Sequence, residues 1–315
     1  MQEPDMSKHS NSFDNEIDLR EVFFVLLQRK KMIFSITTFF SILGVIYSLL
    51  LPNIYESRAL LVPVNPSNSI SGSLRSYSGL AGIAGINLPS GADESNSAKA
   101  FKKIGTLSFF EENILTNIFL PDLMAVESWD HEKNIITYDE SIYKIKTNTW
   151  VRDYSFPMKQ IPSAQESFKQ FITNHLSLSE DKKTGFVSLS IKHQSPFIAK
   201  QWAELVINEV NNFYRQKDKS ESQKAVTYLN QQISTTSLSE IKQVIAELLQ
   251  EETKKLALVE ANQFYVFDYI DPPAIMERKS EPSRAFICII SALLGVILSI
   301  LLVLIRHYIF AEKDS

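Results

Sequence analysis

The chain has 315 residues, of which 44% are hydrophobic and 22% charged, and this composition is ordinary for one or two folded domains. Its net charge of −4, without a lysine and arginine cluster of recognition length between residues 52 and 284, argues against nucleic-acid binding. The single cysteine, Cys288, excludes an internal disulfide bond, so a folded domain must depend on core packing or oligomerisation.

An uncharged stretch near the N-terminus predicts a first transmembrane helix. Residues 32–51 provide about 20 positions without a charge, enough helix to cross a hydrocarbon core of ~30 Å. Basic residues occupy positions 29–31, directly before this stretch, and only Arg58 follows it closely. The positive-inside rule therefore places residues 1–31 in the cytoplasm.

The next region begins as a strand and continues as a loop. Residues 55–64 (YESRALLVPV) are β-compatible and predict a strand that leaves the membrane. Residues 65–98 are dense in serine, glycine and asparagine, which predicts a mobile loop or linker. Its glycines Gly79, Gly82 and Gly85 fit neither of the common phosphate-binding motifs, so we expect no nucleotide.

Helices and strands alternate in the middle of the chain. Helical spacing of apolar residues predicts a helix over 99–124 that Pro121 stops, and a second short helix over 163–176. Strict alternation predicts strands over 143–151 and 187–191.

Long helices follow, in the range of about 195–262. Ser195 and Pro196 are typical of a helix start, and neither glycine nor proline occurs between residues 197 and 271. The residues from Ser237 to Glu240 fit a capping box, which starts a second helix. The simplest structure is a helical hairpin with its tip near Thr235 and arms that reach about 60 Å. A single unbroken helix is the alternative.

The chain then returns to the membrane. Residues 264–270 predict a strand, and Pro272, Pro273 and Pro282 stiffen the linker that follows it. Residues 285–305 carry no charge over about 21 positions and predict the second transmembrane helix. Residues 52–284 are then exported, and residues 306–315 form a cytoplasmic tail.

Both apolar stretches carry small residues at four-residue spacing. Small residues let helices approach closely in lipid, and they make Gly44, Ser291 and Gly295 candidate packing positions. The pattern does not say whether the partner helix belongs to the same chain.

No constellation of residues points to catalysis. The five histidines are scattered, no H-E-x-x-H or G-x-S-x-G motif occurs, and the acidic pairs are adjacent in sequence, as solvated surface residues commonly are. Neither apolar stretch contains a charge that would mark an ion path. We therefore expect no enzyme, no metal and no cofactor.

Four segments give the chain a resemblance to a known family. They are EIDLREVFFVLLQRKK before the first apolar stretch, PNIYESRALLVP after it, TGFVSLSIKHQSPFIAKQWAELVINEVN at the first long helix, and IDPPAIMERKSEPSR before the second stretch. In order and spacing they resemble the Wzz-type polysaccharide co-polymerases, the chain-length determinants of lipopolysaccharide O-antigen. The likeness covers nearly the whole chain.

The resemblance implies a fold, a location and partners. It implies an α+β protein of the bacterial inner membrane, with two transmembrane helices flanking a periplasmic domain that has an α/β membrane-proximal base and a long helical extension. Such proteins assemble as homo-oligomeric rings. Without known catalysis, they set how far a Wzy-type polymerase extends a lipid-linked polysaccharide. A co-polymerase for capsule or exopolysaccharide and a glycan-processing enzyme with an inter-subunit site are the alternatives.

The family's proline- and glycine-rich segment at the second span is matched in part. Pro272, Pro273 and Pro282 match its proline part, whereas Gly295 is followed by Val296 and no second glycine occurs. The resemblance makes these three prolines and Gly295 the expected segment that couples the domain to the membrane. The relatives with a fused tyrosine kinase are excluded, because the tail after residue 305 has no nucleotide-binding motif.

Overall fold

The computed structural model describes residues 19–64, 96–262 and 264–311. The chain divides into two compact units, one comprising the chain up to Pro52 and from Pro282 onwards, the other Asn53–Glu281. Most of the predicted loop, residues 65–95 with its three glycines, lies outside the described residues.

Helices and strands are interleaved along the chain, which confirms the α+β class. The helices are α1 (Leu19–Gln28), α2 (Lys30–Leu50), α3 (Asn96–Ile104), α4 (Leu107–Phe109), α5 (Leu120–Met124), α6 (Ala164–Gln170), α7 (Pro196–Thr235), α8 (Ser239–Ala261) and α9 (Arg284–Ala311). The strands are β1 (Tyr55–Pro63), β2 (Val126–Asp130), β3 (Ile135–Tyr138), β4 (Tyr143–Lys144), β5 (Thr149–Trp150), β6 (Leu176–Glu180), β7 (Val187–His193) and β8 (Phe267–Asp271).

The first unit consists of helices. By length and composition, α2 and α9 are both able to span a membrane, and they pack against each other. Helix α1 was not predicted; it ends just before Arg29, whose ψ of 18° departs from helical geometry and separates it from α2. Its Val25 is buried, and α1 packs against α9.

The second unit is built on a four-stranded antiparallel sheet in the order β6-β7-β1-β8. Helix α7 covers one face of this sheet through its contacts with β1 and β7. Side chains that alternate inward from the strands meet the apolar stripe of the helix, so the core lies between these two layers. Its members include Leu61, Leu189, Ile191, Trp202 and Val206.

Helices α7 and α8 form the predicted hairpin, and the unbroken helix is wrong. A second apolar cluster, formed by Leu229, Val244, Ile245 and Leu248, packs the two helices together. The predicted capping box is also wrong: α8 begins at Ser239, its N-cap is Leu238, and no side chain caps it. The chain between the helices is extended, which leaves Ser237 one residue outside the cap position.

Two further predictions need correction. The predicted helix over 99–124 is broken after Ile104, where Thr106 caps a new start, and Pro121 opens α5 instead of stopping a helix. Proline is tolerated in a first turn because the backbone N–H that it lacks has no partner there. The strand predicted over 143–151 is a hairpin of β4 and β5, in which Asn148 has a φ of 54° that a continuous strand cannot accommodate.

A hairpin and a strand were missed. The polar residues 126–138 form the β2–β3 hairpin, with Asn134 at a φ of 52° before β3. The last part of the short helix predicted over 163–176 is a π-helical turn, Phe171–His175, and β6 starts directly after it. Short, half-exposed strands carry little apolar alternation, so the sequence pattern did not reveal them.

Asn211 joins α7 to the returning chain before β8. Its Oδ1 accepts hydrogen bonds from the backbone N–H groups of Tyr265, Val266 and Phe267 at 3.1, 2.7 and 3.0 Å. Its Nδ2 donates to the carbonyls of Phe267 and Ile207 at 3.0 and 3.1 Å. Because the site is buried, each of these backbone groups would be costly to leave unpaired.

A neighbouring pair of side chains continues this anchor. Two helical turns after Asn211 on α7, the buried Asp218 accepts hydrogen bonds from the Tyr265 hydroxyl at 2.5 Å and from Asn96 Nδ2 at 3.0 Å. Burial, together with the hydrogen bond to Asp218, raises the pKa of the Tyr265 phenol, so this side chain stays protonated and donates.

His193 is the last residue of β7, and its imidazole ring is neutral. The backbone N–H of Ser195 donates to its Nδ1 at 2.9 Å, so the proton sits on Nε2, which donates to the Asp122 carbonyl at 3.0 Å. Burial, with a smaller contribution from the nearby His175 ring, lowers the pKa of His193 to about 4. Trp202 packs against both rings, with centroids 5.1 and 5.4 Å away.

We expect the substitution Asn211→Leu to lower the free energy of unfolding by about 4 kcal/mol, because it leaves several buried backbone groups without hydrogen-bond partners. Chemical unfolding of the full chain in detergent measures this. The matched control is Asn212→Leu, which alters the half-buried neighbouring asparagine and should cost less than about 1 kcal/mol. Equal losses for the two variants would contradict the anchor.

We also expect the protein to lose stability as the pH falls from about 6.5 to about 4. In this range His193 binds a proton in the unfolded chain but stays neutral in the folded protein. The difference in pKa corresponds to a loss on the order of 3 kcal/mol. His193→Gln should flatten this part of the pH profile, and His131→Gln, at an exposed position, should leave it unchanged. A wild-type profile that is already flat in this range would refute the assignment.

Candidate functional site

The closest approach between α2 and α9 occurs at the predicted packing residues. A Cβ on Gly44 would lie 2.3 Å from Ser291 Oγ and 2.4 Å from Ser291 Cβ. On the other helix, a Cβ on Gly295 would lie 2.9 Å from Phe40 Cβ and 3.1 Å from Thr37 Cα. Both glycines therefore stand where a side chain would force the helices apart. We call this contact, formed by Thr37, Phe40, Gly44, Ser291 and Gly295, the glycine seam.

Two serine hydroxyls at the glycine seam are hydrogen-bonded within their own helices, whereas the Thr37 hydroxyl is buried without a hydrogen-bond partner among the described residues. Ser41 Oγ donates to the Thr37 carbonyl and Ser291 Oγ to the Ile287 carbonyl, both at 2.8 Å. Such bonds remove the cost of placing a hydroxyl in apolar surroundings, while the short side chains keep the backbones close. The seam is thus a place where small side chains allow close approach of the two helices.

The predicted proline segment is held along the start of β1. Pro272 is exposed and Pro273 is buried just after β8. From there Ser57 Oγ donates to the Ala274 carbonyl at 2.8 Å, and Ile54 N donates to the Glu281 carbonyl at 2.9 Å. The segment is therefore fixed to the sheet by hydrogen bonds.

The six predicted residues divide between the two units. Gly44, Ser291 and Gly295 meet in the glycine seam, and Pro282 is a half-buried residue at the first position of the same unit's C-terminal part. Pro272 and Pro273 belong to the other unit. Their role in coupling stays a prediction.

A polar cleft of about 320 Å³ lies on the sheet face away from α7. Its lining is made of hydroxyl and charged side chains from three strands, namely Glu56, Arg58, Ser177, Ser179, Ser188, Ser190 and Lys192. Burial raises the pKa of Glu56, but hydrogen bonds from Arg58 and Ser190 outweigh it, and the pKa lies below its usual range. Glu56 is therefore a fixed anion, which suits it to ion pairing and not to proton transfer.

The described side chains include no group that could hold a metal, and two histidines are engaged with the backbone. Within residues 19–64, 96–262 and 264–311, no three His, Cys, Asp or Glu side chains come together in a group that could hold a metal. Both ring nitrogens of His193 are committed to backbone groups. Burial also lowers the pKa of His175, whose Nδ1 donates to the Lys192 carbonyl at 2.7 Å.

The sequence analysis missed the residues that anchor the domain. Asn211 and Asp218 are polar residues on the buried stripe of α7, at positions where the helical period calls for apolar side chains. A polar residue in such a position signals a buried hydrogen-bonding partner, and this signal was available in the sequence.

Comparison with known proteins points to one family. Residues 15–104 match the family model described as Wzz, chain length determinant protein. None of the curated proteins is significantly similar to this chain in sequence.

Three solved structures give weaker likenesses. A full-length bacterial polysaccharide co-polymerase aligns over 95% of this chain and all of its own, at 14% identity and a TM-score of 0.41. A fragment of WzzB, a polysaccharide co-polymerase from Salmonella Typhimurium, aligns over 73% of this chain and all of its own, at 13% identity and a TM-score of 0.29. A point mutant of the Shigella flexneri lipopolysaccharide O-antigen chain-length regulator aligns over 72% of this chain and all of its own, at 12% identity and a TM-score of 0.23.

The family match covers the segment that includes α2, which is able to span a membrane, and β1, at the centre of the sheet. The resemblance of the chain to the Wzz-type chain-length determinants is thereby confirmed.

Proposed function

We propose that the chain is a polysaccharide co-polymerase that regulates the modal chain length of lipopolysaccharide O-antigen made by a Wzy-type polymerase. The observation that carries this proposal is the match of residues 15–104 to the chain length determinant model. The O-antigen as the glycan rests on the resemblance of the four sequence segments quoted above. In this proposal the chain assembles as a ring in the bacterial inner membrane and performs no catalysis of its own.

The two apolar helices support the location. Both α2 and α9 are able to span a membrane, and the basic residues at positions 29–31 favour a cytoplasmic N-terminus. With two crossings, both termini are cytoplasmic and residues Asn53–Glu281 are periplasmic, where they reach the growing lipid-linked polysaccharide.

The glycine seam and the proline segment have distinct roles in this proposal. The seam holds the two spans together and presents a fixed lipid-facing surface to the polymerase. Pro272, Pro273 and Pro282 limit the freedom of the chain between β8 and α9, so displacements of the domain are passed to the second span.

A lipopolysaccharide gel from a deletion strain tests the proposal. We expect deletion to replace a clustered distribution of O-antigen lengths with a random one, and restored expression to recover the cluster. The gel distinguishes loss of length control from loss of polymer.

Two other outcomes would contradict the proposed function. An unchanged ladder, with an altered size of secreted or capsular polymer, would assign the chain to another glycan. Complete loss of polymer, in the deletion strain or after Asp139→Asn with Glu140→Gln, would indicate an enzyme with a site between subunits.

The glycine seam makes a prediction of its own. Gly44→Ala should lower the melting temperature of the membrane-embedded protein and broaden the O-antigen distribution, because the new methyl group overlaps Ser291. Ser291→Gly in the same chain removes the overlapping side chain and should restore both properties.

The control for this experiment is Val45→Leu, on the exposed side of α2 next to Gly44, which should change neither property. If the double variant is as impaired as Gly44→Ala alone, the overlap with Ser291 is not the cause. If Gly44→Ala lowers the melting temperature but leaves the O-antigen distribution unchanged, the role of the seam is limited to holding the helices together.

A further inference from the structure

The segment that follows β5 exposes an unusual number of large apolar side chains. In the loop of residues 152–162, Phe156 is 97% exposed, Ile161 61%, Tyr154 58% and Met158 51%. Together they form a contiguous stretch of sequence and not scattered surface residues, and exposure on this scale marks an interaction site. We call residues 152–162 the apolar loop.

The apolar loop is held in one conformation by Arg152. The guanidinium donates to the Gln160 carbonyl at 2.9 Å through Nε and to the Lys159 carbonyl at 2.6 Å through Nη2. It also forms a two-pronged ion pair with Glu166, at the start of α6. The bonds of Arg152 thus join the end of the loop to its beginning, and the apolar side chains between them stay exposed.

The surroundings of the apolar loop are basic. The hairpin of β4 and β5 places Lys144, Ile145 and Lys146 on its surface, with Ile145 48% exposed, and the loop adds an exposed Lys159. Residues 142–162 contain three exposed lysines against one acidic residue, Asp153, while the fourth basic residue, Arg152, is paired with Glu166. Exposed aromatic and aliphatic side chains among lysines are the combination that binds an anionic lipid surface.

Aromatic contacts connect this region to the start of the sheet. The rings of Tyr138 and Tyr143 lie 6.0 Å apart, and those of Tyr143 and Trp150 lie 5.0 Å apart. The same β2–β3 hairpin that carries Tyr138 places Trp129 against Tyr55, the first residue of β1, at 5.4 Å. Tyr55 is the fifth residue after the end of α2, so a chain of at most about 18 Å joins it to that helix.

We propose that the apolar loop and the β4–β5 hairpin dock on the surface of the bilayer, with the apolar side chains at the headgroup level and the lysines on anionic lipid headgroups. The domain is then fixed to the membrane at a third place, besides its two spans. This contact depends on membrane anchoring and not on control of glycan length, so it stands or falls separately from the proposed function.

Site-directed fluorescence in the full chain tests the proposal. The only cysteine is removed by Cys288→Ser, and an environment-sensitive dye is attached through Phe156→Cys, a position exposed enough that folding should be unaffected. The protein is placed in nanodiscs of phosphatidylethanolamine and phosphatidylglycerol that contain a nitroxide-labelled lipid. The matched control is Leu238→Cys at the turn between α7 and α8, which is also an exposed apolar residue, 58% accessible.

We expect the nitroxide lipid to quench the dye at position 156 at least about threefold more than the dye at position 238, because only the first lies at the headgroup level. Replacing Lys144, Lys146 and Lys159 with glutamate should reduce this difference, and the reduction should require phosphatidylglycerol in the nanodisc.

Two results would overturn the proposal. Equal and weak quenching at both positions would leave the apolar loop in water. An emission shift at position 156 that is the same in detergent and in nanodiscs, without quenching by the lipid, would show that protein covers the loop, as a second copy of this chain would.

Discussion

A buried amide, Asn211, fixes the point at which the chain returns from the helical hairpin to the sheet. Its five hydrogen bonds hold residues 265–267 against α7, and this sets where β8 can begin and so allows it to pair with β1. The edge position of β8 beside β1 and the burial of Tyr265 against Asp218 both fit that placement. The apolar core supplies most of the favourable free energy, whereas the amide decides which arrangement is adopted.

The two units meet different physical requirements. The domain Asn53–Glu281 buries apolar side chains away from water between a sheet and a helix. In the pair of apolar helices, lipid offers no such gain, so contact depends on close approach at Gly44 and Gly295. Any helix that binds this pair in lipid would therefore have to fit the shape of their surface.

Long elements with a regular spacing of apolar residues could be predicted from the sequence, whereas the short elements could not. Charge-free stretches predicted the two helices that are able to span a membrane, and apolar spacing with a start signal at Pro196 predicted α7. The β2–β3 hairpin was missed and the β4–β5 hairpin was predicted as one strand, because the turns at Asn134 and Asn148 leave only short strands on either side. The small residues of the glycine seam were predicted from their spacing, and the structure shows which pairs meet. Asn211 was overlooked, although its place on an apolar stripe was visible in the sequence.

In the proposed function, chain length is controlled by a protein without catalysis of its own. The most direct test is to reconstitute the Wzy-type polymerase with its lipid-linked repeat units, with and without this chain, and to measure both the repeat units incorporated and the distribution of product lengths. We predict that incorporation changes less than about twofold, because no catalytic group is added, while the distribution narrows to a modal length. Incorporation that stops without this chain, or a distribution that is the same with and without it, would contradict the account.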